Sequence, residues 1–363
     1  MPASTRCPLA DYHTSQGARL VAYHGGLVPA RFSDPRQEHE AVRQAAGLFD
    51  FSFRTKLAVT GADRVRFLQG TVTNDVKNLT PGHGTYAAML NPQGHILADL
   101  RIYCAEDRFV IDTDADLHGK IFGWLQHHII ADRVKLEPLE MYALAFQGPR
   151  SRPLLEKTLH LDLPAMEEFE HLTTNYAGFP IRIVRASSTG EEGYEIWVGA
   201  KGLSGVWGAA CGQAPTYDML PCGVEALESL RIEAGIPRYG PDLGEDTLLL
   251  EADLVNAVSF TKGCYIGQEI VERSRRRGHI NWKLVGLVVD AAGAPGPGEK
   301  LSSDAKEVGE VTSACVSPTL GKTIALAYVR REVAEPGTRL VLAPGIPVEV
   351  TALPFHKKAE TGN

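Results

Sequence analysis

The feature that most constrains the fold is a change of pattern near residue 278. Beyond Gly278, short β-rich segments (Leu284–Val289, Thr323–Val329, Arg339–Leu342 and Val348–Ala352) alternate with turns such as Gly293-Ala-Pro-Gly-Pro-Gly298. Strands so short and so often punctuated suit a small barrel of about eighty residues. Before that point helical and strand patterns alternate, and 363 residues exceed one average domain. The chain therefore reads as an α+β body over 1–277 and a β-barrel over 278–363.

Within the body, helical spacing (Val42, Ala45, Ala46) predicts a helix over Gln37–Leu48 with Gly47 near its end. Strands are predicted at Lys56–Thr60, Thr85–Leu90, Ile96–Tyr103, Phe109–Thr113, Val134–Glu137, Tyr142–Gln147, Ile181–Ala186 and Tyr194–Val198. Helices are predicted over Leu117–His128, Leu154–Leu159, Leu203–Cys211 and Glu225–Ala234, the last stopped by Gly235 and Pro237.

Several function classes are disfavoured. A net charge of -7 argues against bulk nucleic-acid binding. No apolar run approaches the roughly 18 residues needed to cross a bilayer. The start MPASTRCPLADYH lacks a charged segment followed by an apolar one, so no export signal is expected and the compartment is read as cytoplasmic. The six cysteines are far apart, form no C-x-x-C pair, and are expected to be free thiols. No His/Cys cluster has metal spacing, and the adjacent His127 and His128 cannot share a helix face as ligands. Gly321-Lys-Thr323 resembles the end of a phosphate loop, but Val316 stands where that loop needs glycine.

Three places carry residues of chemical interest. The first is a hairpin around Asn91-Pro-Gln-Gly94, which is good turn chemistry. A loop of two or four residues sets Tyr86 directly across from Asp99, whereas a three-residue loop with a bulge at Gly94 sends them to opposite faces. Alternation puts Ile96, Ala98, Leu100 and Ile102 on one face and Leu97, Asp99, Arg101 and Tyr103 on the other, where a solvated Asp99–Arg101 pair is the plain alternative. The second is Arg231. At about 100° per residue it projects within about 20° of Val224 and 40° of Leu227, so it either pairs with a buried carboxylate or faces an anion-holding pocket. The third is Lys262-Gly-Cys-Tyr-Ile-Gly-Gln-Glu269 with the basic run Arg273-Ser-Arg-Arg-Arg-Gly-His279. Positive charge near Cys264 would favour its thiolate if the proximity held in space; the plain alternatives are an inert thiol and a solvated basic face.

The stretch Gly25-Gly-Leu-Val-Pro29, the run Glu38–Asp50, Val59–Asp75, Gly190-Glu-Glu-Gly-Tyr-Glu-Ile196 and Leu230-Arg-Ile-Glu-Ala-Gly235 resemble the glycine-cleavage aminomethyltransferase, or T-protein, family. The resemblance implies two intertwined subdomains, one at about 50–140, and a terminal barrel around a central folate pocket. It implies that Tyr86 and Asp99 line that pocket in the directly opposed register, that Glu195 contacts the pterin and that Arg231 holds the folate tail. There are departures: Phe53 stands in place of a usual histidine, Ala98-Asp99 in place of a double acid, Ser188 in place of a tyrosine and Thr113-Asp-Ala115 in place of Val-Asn-Ala.

The octapeptide departs most. It is similar to the signature of the YgfZ folate-binding proteins and their iron–sulfur assembly relatives, through Lys262, Gly263, Cys264, Tyr265, Gly267, Gln268 and Glu269. That resemblance implies a protein that binds tetrahydrofolate or a one-carbon derivative and supports assembly or repair of iron–sulfur enzymes. Iron–sulfur assembly factors or client enzymes would then be partners, and Cys264 a functional thiol. The alternative is a folate-dependent aminomethyltransferase or demethylase in which Asp99 is the catalytic acid or base. A third possibility is an interaction protein that keeps the fold without folate.

Overall fold

The computed structural model describes residues 5–277 and 280–357, so Gly278 and His279, at the expected boundary and the end of the basic run, lie outside it. The body is built on two large sheets whose strands interleave in sequence. One has six strands, ordered His171–Tyr176, Phe179–Arg185, Gly193–Val198, Tyr142–Gln147, Ala46–Asp50 and Met219–Cys222. The other has five, ordered Gly84–Leu90, Ile96–Cys104, Phe109–Asp114, Arg54–Thr60 and Lys135–Leu139. The chain leaves the first sheet at Asp50, builds the whole second sheet, and returns at Tyr142 to pair with the strand it left, Leu144 opposite Asp50. A three-stranded sheet from the N-terminal segment flanks them.

Local chemistry explains these elements and the misreadings. The helix Pro35–Gln44 starts at Asp34, whose carboxylate accepts from the Arg36 N–H at 2.9 Å, with proline in the first turn. The helical reading ran on to Leu48, but the backbone turns at Ala45 and Ala46–Asp50 is a strand. All five of its residues are buried, so no polar alternation marks it. Helices Arg64–Thr71 and Gln268–Arg277 and the strand His171–Tyr176 carried no sequence prediction.

The C-terminal part is a closed six-stranded barrel. Trp282–Val289 pairs with both Lys322–Arg330 and Ile346–Thr351, which closes the ring. Lys300–Ser303, the twelve-residue Lys306–Ser317 and Arg339–Leu342 complete it. Val285, Leu287, Val311, Ala327, Val329, Leu340 and Val350 fill its interior. No helix among the described residues is long and apolar enough to cross a membrane.

Candidate active site

A cavity of about 710 Å3 opens between body and barrel. Its walls come from the hairpin Gly84–Cys104, the helix Val224–Glu233 with the segment that follows, residues 252–256, the barrel strand at 283–285 and the chain at 351–353 where the last barrel strand ends. A space of this size lies in the range of small-molecule sites.

The hairpin reaches the cavity by a route the sequence did not reveal. Its loop has three residues, Asn91 N–H bonding the His95 carbonyl at 3.0 Å and Gly94 adopting φ 81°. Leu97 is then bulged out, since Leu90 pairs with Ile96 but Met89 with Ala98. Each irregularity shifts the register by one, and together they restore the parity. The expected direct opposition is therefore corrected: Tyr86 faces Arg101 and Ala88 faces Asp99. Tyr86 and Asp99 share a face all the same, as diagonal neighbours, and the tyrosine hydroxyl donates to Asp99 Oδ2 at 3.2 Å. Burial, then the carboxylate beside it, pushes the Tyr86 phenol well above its usual range. The bulge also exchanges Ile96 and Leu97. Ile96 packs with Leu90, Leu249 and Tyr265, while Leu97 joins the opposite core with Met89 and Leu100.

Arg101 does not pair with Asp99. Its Nη1 donates to Glu195 Oε1 at 2.6 Å and its Nη2 to Ser188 Oγ at 3.0 Å. Glu195 is wholly buried, takes the Trp197 indole N–H at 2.8 Å on its other oxygen, and does not border the cavity. Glu195, expected at the pterin, thus lies outside the cavity lining and is bonded to Arg101, which borders it.

Arg231 does border the cavity, but in the buried-pair arrangement. Its guanidinium donates to Asp242 Oδ2 at 2.6 Å, Glu228 Oε2 at 2.8 and 3.1 Å, Ser313 Oγ at 2.7 Å and the Ile236 carbonyl at 3.3 Å. Every donor of the fork is committed. Burial works against the charge, and Asp242 and Glu228 outweigh it, so its pKa is raised. Because Ser313 belongs to the barrel and Asp242 also takes the Thr312 hydroxyl at 2.6 Å, Arg231 pins barrel to body. Free capacity on this wall belongs instead to Arg238, which stacks on Tyr23 at 4.4 Å, donates to Glu228, and leaves its buried Nε without a partner.

Two further wall residues are Arg54, which the sequence did not single out, and Asp114, which stood out there only as a departure from the family pattern. Arg54 forks onto Asp112 at 2.6 and 2.9 Å and Asp114 at 3.0 Å. Burial, with Asp99 and Asp116 nearby, pushes the Asp114 carboxyl up to about 6 against the pull of Arg54 and His24. Acids alternate along Asp112-Thr-Asp114, but nothing in the sequence names Arg54 as their partner.

The octapeptide lies elsewhere. None of its residues lines the cavity, and Cys264 is exposed on the surface. Lys262 is buried and donates to the carbonyls of Val72 at 2.7 Å and Asn74 at 2.8 Å, turned away from the thiol's solvent, and burial lowers its pKa to about 8. Tyr265 is buried with Ile96 and Leu90. Gly267 has φ 85°, and a Cβ there would stand 2.8 Å from the Asn91 carbonyl, so only glycine fits under the hairpin turn. Gln268 and Glu269 open the helix Gln268–Arg277. On it Arg273, Arg275 and Arg276 are exposed, Arg275 lying 4.3 Å over the Phe260 ring.

The fold brings together two potential metal-ligand trios that sequence spacing could not show: Cys7, His13 and Asp50, and His24, Asp114 and Asp116. The first is satisfied internally, Asp50 accepting from Cys7 at 2.7 Å and meeting His13 Nε2 at 2.8 Å.

Residues 9–262 match the GCVT N-terminal domain model and residues 283–357 the glycine cleavage T-protein C-terminal barrel domain model. The chain is 34% identical over 360 residues to the aminomethyltransferase of Bacillus subtilis (strain 168), covering 97% of this chain and 99% of that one. It is likewise 34% identical to the aminomethyltransferase of Halothermothrix orenii, over 96% and 99% of the two chains. Among solved structures it resembles glycine cleavage system aminomethyltransferase T from Bartonella henselae, with a TM-score of 0.90, 27% identity and 97% and 98% coverage. These full-length likenesses overturn the expectation of an iron–sulfur assembly protein of the YgfZ type, which had rested on eight residues that do not reach the cavity.

Proposed function

The chain belongs to the glycine cleavage T-protein family, and from that premise we propose that it is a folate-dependent aminomethyltransferase. The observation that carries the reading is the Asp99 carboxylate, held on the cavity wall by the Tyr86 hydroxyl. In such a transfer, tetrahydrofolate takes up a methylene and ammonia leaves, so positive charge develops on the carbon–nitrogen unit in flight. A fixed carboxylate beside that unit stabilises the charge and can take the proton that the attacking nitrogen of tetrahydrofolate gives up and hand it to the leaving amine. Tyr86, whose phenol is held protonated, orients that carboxylate. Tyr23, Phe53 and Leu227 offer apolar surface for a flat ring. With Arg231 committed inside the protein, Arg238 is the cation placed to meet the carboxylates of a glutamyl tail.

The test is tetrahydrofolate titration followed by fluorescence quenching, then ammonia release from an aminomethyl-carrier donor. The reading expects saturable quenching, and release that fails in Asp99→Asn while folate still binds. No quenching, or equal release by the variant, would sink it.

A further inference from the structure

Two cations lie over the Trp197 ring in the layer between the large sheets, and their charges are met very differently. Lys56 Nζ stands 4.8 Å from the ring centroid and is paired with Asp112 at 2.9 Å. The Arg182 guanidinium lies 5.7 Å from the same ring. Among the described residues no carboxylate pairs with it, and its Nε and Nη1, both buried, have no hydrogen-bond partner. A guanidinium withdrawn from water normally keeps an anion beside it. Here burial, then the like charge of Arg108, lowers its pKa, and Asp107, the acid that favours its charge, is taken by Arg108 Nε at 2.8 Å.

Two more unpartnered polar groups lie beside it. Arg182 pairs with Thr173 on one side and Trp197 on the other, so His171, two residues from Thr173, presents to the same face. His171 is buried, and its Nε2 lies 2.9 Å from the Cys104 carbonyl. A carbonyl can only accept, so Nε2 carries the proton and Nδ1 is a bare lone pair. That nitrogen is buried without a partner, and burial, then Arg182, lowers the His171 pKa to about 4 and keeps the ring neutral. Tyr103 packs edge-on to both His171 and Trp197, with ring centroids 5.6 and 5.0 Å apart. Its hydroxyl is wholly buried and likewise unpartnered.

The plain interpretation is an arginine resting on an aromatic face, with water on the remaining groups. Water can take the phenol proton and fill the histidine lone pair, but it brings no charge to the guanidinium. A small planar oxyanion that keeps one O–H matches all three. Its charged oxygens accept from Arg182 and the Tyr103 hydroxyl, and its own O–H donates to His171 Nδ1. None of the three residues borders the cavity. We propose that Arg182, His171 and Tyr103 form a second, inter-sheet anion site that takes a protonated oxyanion of the hydrogencarbonate class. The site stands independently of the transferase reading.

Calorimetric titration of the full chain, in mildly alkaline buffer of fixed ionic strength, tests it with sodium hydrogencarbonate and sodium nitrate. Nitrate is planar and singly charged but has no O–H. Wild type should bind hydrogencarbonate saturably and at least about tenfold more tightly than nitrate, the scale of one buried hydrogen bond. Arg182→Gln should lose that binding. Tyr103→Phe, which removes only an unpartnered oxygen, should weaken it a few-fold and serves if the glutamine variant does not fold. An arginine resting on an aromatic face with water alone would leave nothing for Tyr103→Phe to change. No saturable binding by wild type, the two anions bound alike, or hydrogencarbonate binding unchanged in either folded variant overturns the site.

Discussion

The hairpin Gly84–Cys104 and the loop Lys262–Glu269 touch each other, yet they spend their polar groups in opposite directions. The hairpin turns Tyr86, Asp99 and Arg101 toward the cavity with donors and acceptors left over. The loop turns Lys262 into the protein, where both its recorded bonds cap carbonyls of the 72–74 segment, and Asn74 in turn donates to the Tyr86 carbonyl at 2.8 Å. Gly267 fits under the hairpin turn at Asn91, and Gly94 of that turn lies against Ile270. One region can meet a ligand because its hydrogen bonding is incomplete. The other holds the first in register because its lysine and its glycine are turned onto the 72–74 segment and the hairpin turn.

The largest test of that contrast is catalytic. Asp99→Asn should lower aminomethyl transfer by about 10²- to 10⁴-fold with little change in melting temperature, because it removes an acid–base group and not a packing element. A variant that merely unfolds would place Asp99 with the braces.

Next comes Lys262→Met, which should leave tetrahydrofolate contacts in place and cost about 2–4 kcal/mol in urea unfolding by stranding two carbonyls. If it cut turnover with full stability, the loop would belong to the site after all.

A pH series sharpens the cavity side. The Asp114 carboxyl is raised to about 6 in the folded chain, so it binds more protons folded than unfolded between its ordinary value and 6. Its contribution to stability is therefore full in acid and is lost as pH rises through about 6. Asp114→Asn should flatten that fall, measured as urea midpoints from pH 4 to 7. An unchanged slope would mean that Arg54 keeps Asp114 ionised throughout.

The smallest effect is expected at Cys264→Ala: stability within about 0.5 kcal/mol and no change in transfer, as for other surface positions. Loss of transfer in that variant would overturn the division between the two regions.

Much of the fold was legible where alternation or helical spacing survives, as in Tyr142–Gln147 and Arg339–Leu342, whose bounds coincide with the predicted ones. It failed where both faces are buried, as in Ala46–Asp50, and where a barrel strand buries Gly and Ser beside exposed Lys and Glu, as in Lys306–Ser317. The site was legible as residue types but not as partnerships. Helical projection put Arg231 on an apolar face, yet its partners Asp242 and Ser313 arrive from other segments, so the choice between pocket and pair needed the fold. The rare octapeptide drew a functional reading by its composition, and its actual role as a brace depends on contacts with residues 70–94 that no local pattern records.

The bulge at Leu97 has a consequence for how this wall can evolve. Tyr86, Asp99 and Arg101 face the cavity only because two single-residue irregularities, the odd-length turn and the bulge, cancel. Losing one residue at either place would turn Asp99 and Arg101 into the apolar core without altering a single side chain. Length changes in this hairpin are thus confined to even steps, and its turn should accept substitutions at Pro92 and Gln93 far more readily than it accepts a single deletion.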